Sequence, residues 1–496
     1  MEIIDHLALG FSTALTYENL WYCALGCFIG TFIGMMPGLG PTTTISLLLP
    51  IVYSMPTVGS FIMLAGIYYG AQFGDSVSAI TMKIPHAGSI ITCIDGYQMH
   101  LQKRTGLALF TAGVSSFIGG TIATVLVAAA APPLSELAFM FGPAEYAMLM
   151  ILGFVCVSLI TTGSLINGLG MVVVGVLLGS VGTDINSGQI RFTADITSLV
   201  DGISIISIAI GCFGLAEITK KLNENNTYTP FSGSLKLLPS WADFKRLIPS
   251  ALRGSAVGSA LGLIPGGGPT IAQFGAYAVE KKFSKHNHEI GSGSIEGVAG
   301  PCASDEAASK TGFIPLMSLG IPENAVMALL LGALMIKGLT PGPQMITNRP
   351  DLFWGLVASM WIGNIFLLIL NVPLVKFWLS LFKVPHYYLY PTILFFCCIG
   401  TYSINNDINH VYITAFFGVL GYMFVQLKLE AAPLMLGFIL GPMLEEHVTR
   451  QLNIGRGDFT TFLESSLSQG LCAIIVSIVL YTLAKTVKNT WLTNKS

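Results

Sequence analysis

Two similar stretches decide how this chain folds, Gly38-Leu39-Gly40-Pro41-Thr42-Thr43 and Gly266-Gly267-Gly268-Pro269-Thr270-Ile271. Each follows a long apolar run and a proline, and another mostly apolar run comes after it. Glycine and proline end helices, because glycine loses the most backbone entropy on folding and proline lacks the N–H donor. Pro41 and Pro269 then stand where a new helix begins, the position that tolerates proline best. Both stretches therefore predict breaks inside membrane-embedded helices.

The composition indicates a membrane protein. Of the 496 residues, 53% are hydrophobic and only 10% are charged, whereas soluble domains carry about 25% charged residues. Apolar runs recur along the chain, and a run of about 20 residues can cross a hydrocarbon core. We predict an all-α, polytopic integral membrane protein with broken or re-entrant helices and about 10–12 transmembrane spans.

Charge and cysteine content argue against other classes of protein. The formal net charge is −2, so nothing indicates a nucleic-acid partner. The nine cysteines are mostly in apolar runs and show no Cys-x-x-Cys spacing. They are expected to be small buried hydrophobes, and no cofactor is expected apart from a coupling ion.

The distribution of lysine and arginine predicts two inverted halves. Basic residues near the ends of spans stay in the cytoplasm. No basic residue precedes Lys83, so the loop at 53–56 is expected outside, whereas the corresponding loop at 281–285 contains three lysines and is expected inside. We therefore predict an inverted repeat, with one half at 1–219, a polar cytoplasmic connection at 220–253 and the other half at 254–496.

The two breaks supply groups that can bind an anion. The first turn of a helix has unpaired N–H groups and the positive end of the helix dipole. Two inverted copies would place two such ends near the bilayer midplane, which suits a substrate with carboxylates. The alternative is a pair of simple glycine-proline kinks, but repetition at corresponding positions favours a site. The substrate-binding candidates are Gly38, Leu39, Gly40, Pro41, Thr42, Thr43, Gly266, Gly267, Gly268, Pro269 and Thr270.

Polar residues in or beside apolar runs are candidates for coupling transport to Na⁺ or H⁺. An ionisable group inside a span is costly and usually marks a substrate or ion pathway. Lys83 could be the counter-charge of Asp75 or of a carboxylate ligand, or a basic residue at a span end. His86 is expected to be a hydrogen-bonded structural group. For Asp305 and Glu306 the alternative is that they lie at a cytoplasmic helix end that is exposed to water. The coupling candidates are Asp75, Ser76, Ser304, Asp305 and Glu306, with no metal site expected beyond one for Na⁺.

Signatures of an enzyme are weak. Neither His-Glu-x-x-His nor Gly-x-Ser-x-Gly occurs. Asp75 and Asp407 both lie in or near apolar runs, so an intramembrane aspartyl-type enzyme is the alternative function, provided that the two residues meet in one site. We expect a transporter and not an enzyme.

The chain also resembles the large membrane subunit of the tripartite tricarboxylate transporter family. The likeness covers nearly the whole chain. The motifs that carry it are Gly34–Pro41, Asp95–Met99, Gly188–Thr193, Ile264–Thr270, Glu280–Lys282, Ile295–Pro301, Leu319–Pro322, Leu331–Leu334 and Pro341–Pro343.

This resemblance implies a secondary transporter in a bacterial inner membrane that imports a small organic acid, a di- or tricarboxylate or a related carboxylate, and is driven by a cation gradient. It also implies two partners, a small membrane subunit and a periplasmic solute-binding protein. It places the substrate at the Pro-Gly-x-Gly-Pro loops, which are intact in this chain. Four places depart from the family's usual pattern: Asp75 and Glu323 replace glycines, Pro85-His86-Ala87 replaces a Pro-Gly-acidic turn, and residues 300–305 replace Gly-Pro-Glu-Ala-Asn-Asn.

Overall fold

The fold is almost entirely helical, as predicted. The computed structural model describes residues 2–36, 40–83, 86, 88–138, 141–160, 165–184, 188–216, 218–219, 239–264, 268–339, 341–375, 377–378, 394–395, 398–399, 401–402 and 407–493. Within these residues the strands form one antiparallel pair, in which Gly182 is opposite Arg191 and Thr183 is opposite Ile190.

The helices are numbered here in chain order. Three short 3₁₀ segments lie at Thr197–Leu199, Asn287–Glu289 and Phe459–Leu463, and a π-helical turn at Ile210–Leu215 continues α9. The helices are α1 (Glu2–Ala14), α2 (Tyr17–Met35), α3 (Pro41–Ser54), α4 (Thr57–Met82), α5 (Ile90–Leu101), α6 (Thr105–Ala138), α7 (Pro143–Ile160), α8 (Leu165–Gly179), α9 (Ile205–Ala209), α10 (Trp241–Gly262), α11 (Gly268–Phe283), α12 (Ile295–Thr311), α13 (Phe313–Leu319), α14 (Ala325–Ile336), α15 (Pro343–Asn348), α16 (Pro350–Asn371), α17 (Ile408–Gln426), α18 (Ala431–Ile454) and α19 (Ser466–Thr493).

Three helices of the described part are long and apolar enough to cross a membrane. They are α6 between Thr105 and Ala130, α16 and α17. Shorter apolar helices include α7, α8 and α14. A membrane protein is therefore supported, and the count of about 10–12 spans stays a prediction.

Helices α2 and α3 form a hairpin with the first glycine-proline stretch at its turn. The start of α2 lies beside the start of α4, since a Cβ built on Gly59 would lie 2.5 Å from the ring of Tyr22. The end of α3 reaches the same place, where the Ser60 hydroxyl donates to the Val52 carbonyl (3.1 Å). The chain therefore reverses direction at this break instead of continuing along one helix axis.

Helices α10 and α11 form a second hairpin with the same plan. Arg253 in α10 donates to both carboxylate oxygens of Glu280 in α11, at 2.8 and 2.7 Å. Near the middle of α10, the Ser250 hydroxyl donates to the Glu296 carbonyl (3.2 Å) at the start of α12. The open end of this hairpin thus lies beside the beginning of α12.

Glycines let the first arm of each hairpin approach the next long helix closely. A Cβ on any of these glycines would lie closer than 3.0 Å to a carbonyl oxygen of the facing helix, so only glycine fits. Gly34 precedes Pro37 by the same number of residues as Gly262 precedes Pro265. The facing pairs are Gly26 with Met63, Gly30 with Ile67 and Gly34 with Ala71 in the first hairpin, and Gly254 with Gly300, Gly258 with Ser304 and Gly262 with Ala308 in the second.

Helices α4 and α12 cross in opposite directions. Gln72 donates from Nε2 to the Ser309 hydroxyl (3.0 Å) and lies 3.4 Å from Asp305 Oδ1, while Ser76 lies 3.9 Å from the thiol of Cys302. Each of these helices runs in the same direction as the first arm of its own hairpin. The two hairpins therefore point in opposite directions.

The chain divides into two compact units. The first consists of Met1–Ser135 and Ile206–Tyr422 and contains both hairpins; the second consists of Glu136–Ile205 and Met423–Ser496. In the second unit, Arg191 donates to Glu445 at 2.7 Å. These units are defined by compactness, so the predicted halves at 1–219 and 254–496 stay a prediction. Most of the predicted connection at 220–253 lies outside the described residues.

Candidate functional site

The first hairpin turn leads into an uncapped helix start. Gly38 and Leu39 lie outside the described residues, and Gly40 precedes α3 with an extended backbone and no side-chain cap. Pro41 occupies the first helical turn, as predicted. The N–H groups of the first turn have no partner within a helix, so this end of α3 can accept an anion.

The two threonines of the first turn differ in their availability. Thr43 is buried, and its hydroxyl donates to the Phe213 carbonyl (3.3 Å) in the π-helical turn. Thr42 is half-buried, and its Oγ1 lies 3.8 Å from the position of a Cβ on Gly40. Of the two predicted hydroxyl donors, Thr42 is thus the one that stays beside the break.

The second hairpin turn requires glycine at its end. Gly266 and Gly267 lie outside the described residues, and α11 begins at Gly268, whose φ of 44° lies in the left-handed region. Pro269 follows and is buried, and Thr270 is half-buried. Gly268 faces the Glu323 carbonyl, which lies 4.0 Å from the position of a Cβ.

One helix of each hairpin packs against a helix of the other half of the chain. The returning arm of the first, α3, packs against α14, and the returning arm of the second, α11, packs against α5. In the second contact Gln273 of α11 donates from Nε2 to the carbonyl of Gly88, just before α5. Each helix that starts at a hairpin turn therefore contacts the other half of the chain as well as its own.

Asp75 is buried and paired with a histidine. Its Oδ1 lies 2.6 Å from His86 Nδ1 and accepts hydrogen bonds from the His86 backbone N–H (3.1 Å) and the Ser89 hydroxyl (2.8 Å). Lys83 is not its partner, because the Lys83 ammonium lies over the ring of Tyr97 at 5.5 Å. The interpretation of Lys83 as the counter-charge of Asp75 is therefore wrong, and its alternatives, a counter-charge for a carboxylate ligand or a residue at a span end, stay predictions. His86 is hydrogen-bonded as predicted.

Asp305 lies in a buried polar layer between α4, α11 and α12. Its Oδ1 accepts from Gln273 Nε2 at 2.8 Å, and Gln72 Nε2 lies 3.4 Å away. The neighbouring Ser304 is also buried, and its hydroxyl has no hydrogen-bond partner within the described part of the chain. Ser76 is nearby on α4, where its hydroxyl donates to the Gln72 carbonyl (3.4 Å). The alternative of a wet helix end is wrong for Asp305, because α12 is buried along its whole length.

Glu306 forms a fully buried ion pair that the sequence analysis missed. Its carboxylate lies 3.2 Å from the ammonium of Lys310, one helical turn along α12. The same ammonium donates to Asn364 Oδ1 and lies 4.9 Å from the centre of the Tyr69 ring. An acid and a base four residues apart on a helix face each other, and this spacing was the signal that could have found Lys310.

Glu323 is a further buried acid, in contact with Asn324 and Gly312. Its Oε1 accepts from Asn324 Nδ2 at 3.2 Å, and its carboxyl group occupies the space that a Cβ on Gly312 would fill. Asn324 also donates to the hydroxyl of Tyr68 (2.9 Å) on α4 and caps the start of α14. Glu323 is thus held between the end of α12, the second hairpin turn and α4.

The Asp95 motif has a structural role. Asp95 is buried, and its Oδ1 accepts from the backbone N–H groups of Gly293 and Ser294, both at 2.8 Å. Its Oδ2 accepts from the Tyr277 hydroxyl (2.9 Å). A carboxylate that takes up free N–H groups at a helix start stabilises that start. Asp95 therefore fixes the beginning of α12 and, through it, the position of Ser304, Asp305 and Glu306.

The contacts of the two aspartates do not unite them in one catalytic site. Asp75 is bonded to His86 and Ser89, whereas Asp407 accepts from the Asn409 N–H (2.9 Å) at the start of α17. The arrangement instead offers two helix starts for carboxylates and several buried acids beside them. It is suited to binding ions and a small anion.

The chain matches the model of a protein family described as "Tripartite tricarboxylate transporter TctA family" over residues 20–436. It is 46% identical over 491 residues to an uncharacterized 52.8 kDa protein in the TAR-I ttuC' 3' region of Agrobacterium vitis, which covers 99% of this chain and 98% of that protein. It is also 48% identical over 232 residues to an uncharacterized protein in the TAR-II ttuC' 3' region of the same organism, covering 47% of this chain and 96% of that protein. No solved structure matches the chain.

Proposed function

Because this chain belongs to the tripartite tricarboxylate transporter TctA family, we propose that it is the large membrane subunit of a secondary transporter that imports a small organic acid. The substrate is a di- or tricarboxylate or a related carboxylate, and its entry is coupled to Na⁺ or H⁺. The protein works with a small membrane subunit and a periplasmic solute-binding protein in a bacterial inner membrane, which it crosses several times. Family membership implies a transporter rather than an enzyme.

The observation that carries this proposal is the pair of helix starts at the hairpin turns. Helix α3 begins with Gly40 and Pro41, and α11 begins with Gly268 and Pro269. Each start presents free N–H groups and the positive end of a dipole, which together attract carboxylates. We propose that one substrate with two carboxylates engages both starts, and the contact of each returning arm with the other half supports this arrangement.

The opposite directions of the two hairpins support an inverted repeat. Helices α4 and α12 cross with Gln72 beside Ser309, and these two residues are as far apart in sequence as Pro85 and Pro322. The contact therefore joins residues that correspond in the two halves, as expected close to a two-fold axis. Inverted halves around a central site allow access from either side of the membrane.

The buried acids supply the coupling ion's binding groups. Asp75, Ser76, Ser304, Asp305 and Glu306 are all buried on α4 or α12, and Asp305 lies where these helices cross and α11 contacts them. A cation bound there would offset carboxylates that are otherwise costly to bury. The substrate would then be held at the starts of α3 and α11, and the ion by α4 and α12, which contact α3 and α11 respectively.

Replacing Gly40 with valine tests the substrate site. The extended backbone of Gly40 accepts any residue, and its Cβ position is open apart from Thr42 Oγ1 at 3.8 Å, so we expect a stability loss of at most about 1 kcal/mol. The added methyl groups would separate a carboxylate from the start of α3. Losing an interaction of about 1.4 kcal/mol lowers uptake by about tenfold.

Uptake is measured in proteoliposomes that contain both partner proteins. The labelled substrate is the di- or tricarboxylate that most raises the melting temperature of the cognate solute-binding protein. The matched control is Gly170→Val in α8, where nothing lies within 4 Å of the Cβ position. Normal uptake by Gly40→Val, with normal membrane levels, would contradict the assignment of this hairpin turn to the substrate.

A further inference from the structure

Two buried carboxylates occupy corresponding places in the two halves. In the first half, Asp75 on α4 reaches His86, which follows Pro85. In the second half, Glu323 follows Pro322, and its carboxyl group lies over Gly312, which precedes it by the same number of residues as Asp75 precedes His86. In the first half the carboxylate belongs to Asp75 on α4, whereas in the second half it belongs to Glu323 in the segment after α13. The two carboxylates nevertheless occupy equivalent positions in their halves.

The backbone before each of these segments confirms the correspondence. Helix α4 ends at Lys83, with φ of 58°, and α13 ends at Gly320, with φ of 71°. Both residues are left-handed and both stand two positions before the proline. The two carboxylates therefore lie beside segments that begin with the same backbone turn.

Each carboxylate has one oxygen that is bonded and one that is not. Asp75 is 1% exposed and Glu323 is 2% exposed. Among the described residues, no group donates a hydrogen bond to Asp75 Oδ2 or to Glu323 Oε2. A buried acceptor without a partner is costly, so each oxygen is suited to a ligand that the described part of the chain does not supply.

The surroundings of the first oxygen are suited to a cation. Asp75 Oδ2 and Gln72 Oε1 both face Gly88, at 3.3 and 2.5 Å from the position of a Cβ there. The buried Gln273, which contacts Gly88 through its Nε2, has an Oε1 without a partner in the described part of the chain. Carboxylate and amide oxygens are hard ligands, and hard cations prefer oxygen.

Helix ends add negative charge at both places. Helix α2 ends at Met35, and a Cβ on Gly74, next to Asp75, would lie 2.9 Å from the Met35 backbone nitrogen. Helix α10 ends at Gly262, which packs against Thr311, next to Gly312. The last carbonyls of a helix carry the negative end of its dipole and favour a cation.

We propose that Asp75 and Glu323 each bind one Na⁺, at two sites related by the repeat, and that Glu323 is a second coupling residue. Na⁺ is the ion proposed at Asp75 because carboxylate and amide oxygens surround the unpartnered Oδ2. Only the coupling role rests on the proposed function; binding of Na⁺ can be measured without any transport.

The test is the thermal unfolding of the purified full-length protein in detergent. NaCl replaces choline chloride at constant ionic strength, and KCl serves as the control for ion specificity. A ligand that binds only the folded state raises the melting temperature with its concentration. We expect a Na⁺-specific rise in the melting temperature of the parent. Asp75→Asn and Glu323→Gln should each show about half of this rise, and the double variant should show none. Glu464→Gln, at an exposed position, should behave like the parent.

Two results would overturn the proposal: no Na⁺-specific rise in the parent, or a full rise in the double variant. If an amide variant shows no cooperative unfolding, Asp75→Glu and Glu323→Asp keep the charge and move the oxygens. Each should then need about tenfold more Na⁺ at the altered site for the same contribution to the melting temperature, the effect of losing about 1.4 kcal/mol of binding. A dependence of the melting temperature on Na⁺ that equals the parent's also contradicts the sites. No organic acid or partner enters the experiment, so failed uptake would refute the proposed function without affecting this result.

Discussion

Replacing Lys310 with methionine is expected to destabilise the folded protein by about 3–5 kcal/mol, because Glu306 would be left as a buried charge without its partner. The ammonium lies 3.2 Å from that carboxylate and is fully buried, so water cannot replace it. Thermal unfolding in detergent measures the loss. Lys285→Met, at an exposed position, is the matched control and should change little.

The double variant Glu306→Gln/Lys310→Met shows whether Lys310→Met destabilises the protein by leaving a charge unpaired or by removing packing contacts. Removing both charges of a buried pair is often neutral or stabilising, whereas removing one is not. We therefore expect the double variant to recover most of the stability lost by Lys310→Met. A double variant as unstable as the single one would show that Lys310 acts through its contacts with Asn364 and Tyr69 and not through Glu306.

Replacing Gly30 or Gly258 with valine is the second change with a large expected effect. A Cβ at either position would overlap the carbonyl oxygen of Ile67 or Ser304, and a backbone atom cannot move aside as a side chain can. Overpacking of this kind costs about 3 kcal/mol or more, so each variant should lose the folded hairpin. Size-exclusion profiles after heating measure the loss, and Gly170→Val is again the control. A Gly258→Val protein with the parent's melting temperature would refute the close packing of α10 on α12.

The helical fold could be predicted because the signals for it are local. Apolar length and the glycine-proline stretches are read directly from neighbouring residues, and Pro41 indeed begins a helix. The direction of the chain after each break could not be read in this way. A glycine-proline break allows a kink or a reversal, and it is the packing of α2 on α4 and of α10 on α12 that selects the reversal.

The polar site was predicted only in part, because its partners are distant in sequence. Asp75 and Asp305 are recognisable as acids in apolar surroundings. Gln72 and Gln273, which bond Asp305, come from α4 and α11, and an uncharged amide leaves no signal in the sequence. Glu323 appeared only as a departure from the family's pattern, and its relation to Asp75 emerged from the geometry of the two halves.

The most direct test of the central claim is accumulation of the organic acid by proteoliposomes that contain this chain, the small membrane subunit and the solute-binding protein. The labelled acid is the one selected with the solute-binding protein, and an inward gradient of Na⁺ or H⁺ is imposed or omitted. We expect the internal concentration to exceed the external one only when a cation gradient is present. Equal concentrations with either gradient, or chemical conversion of the acid without accumulation, would contradict it.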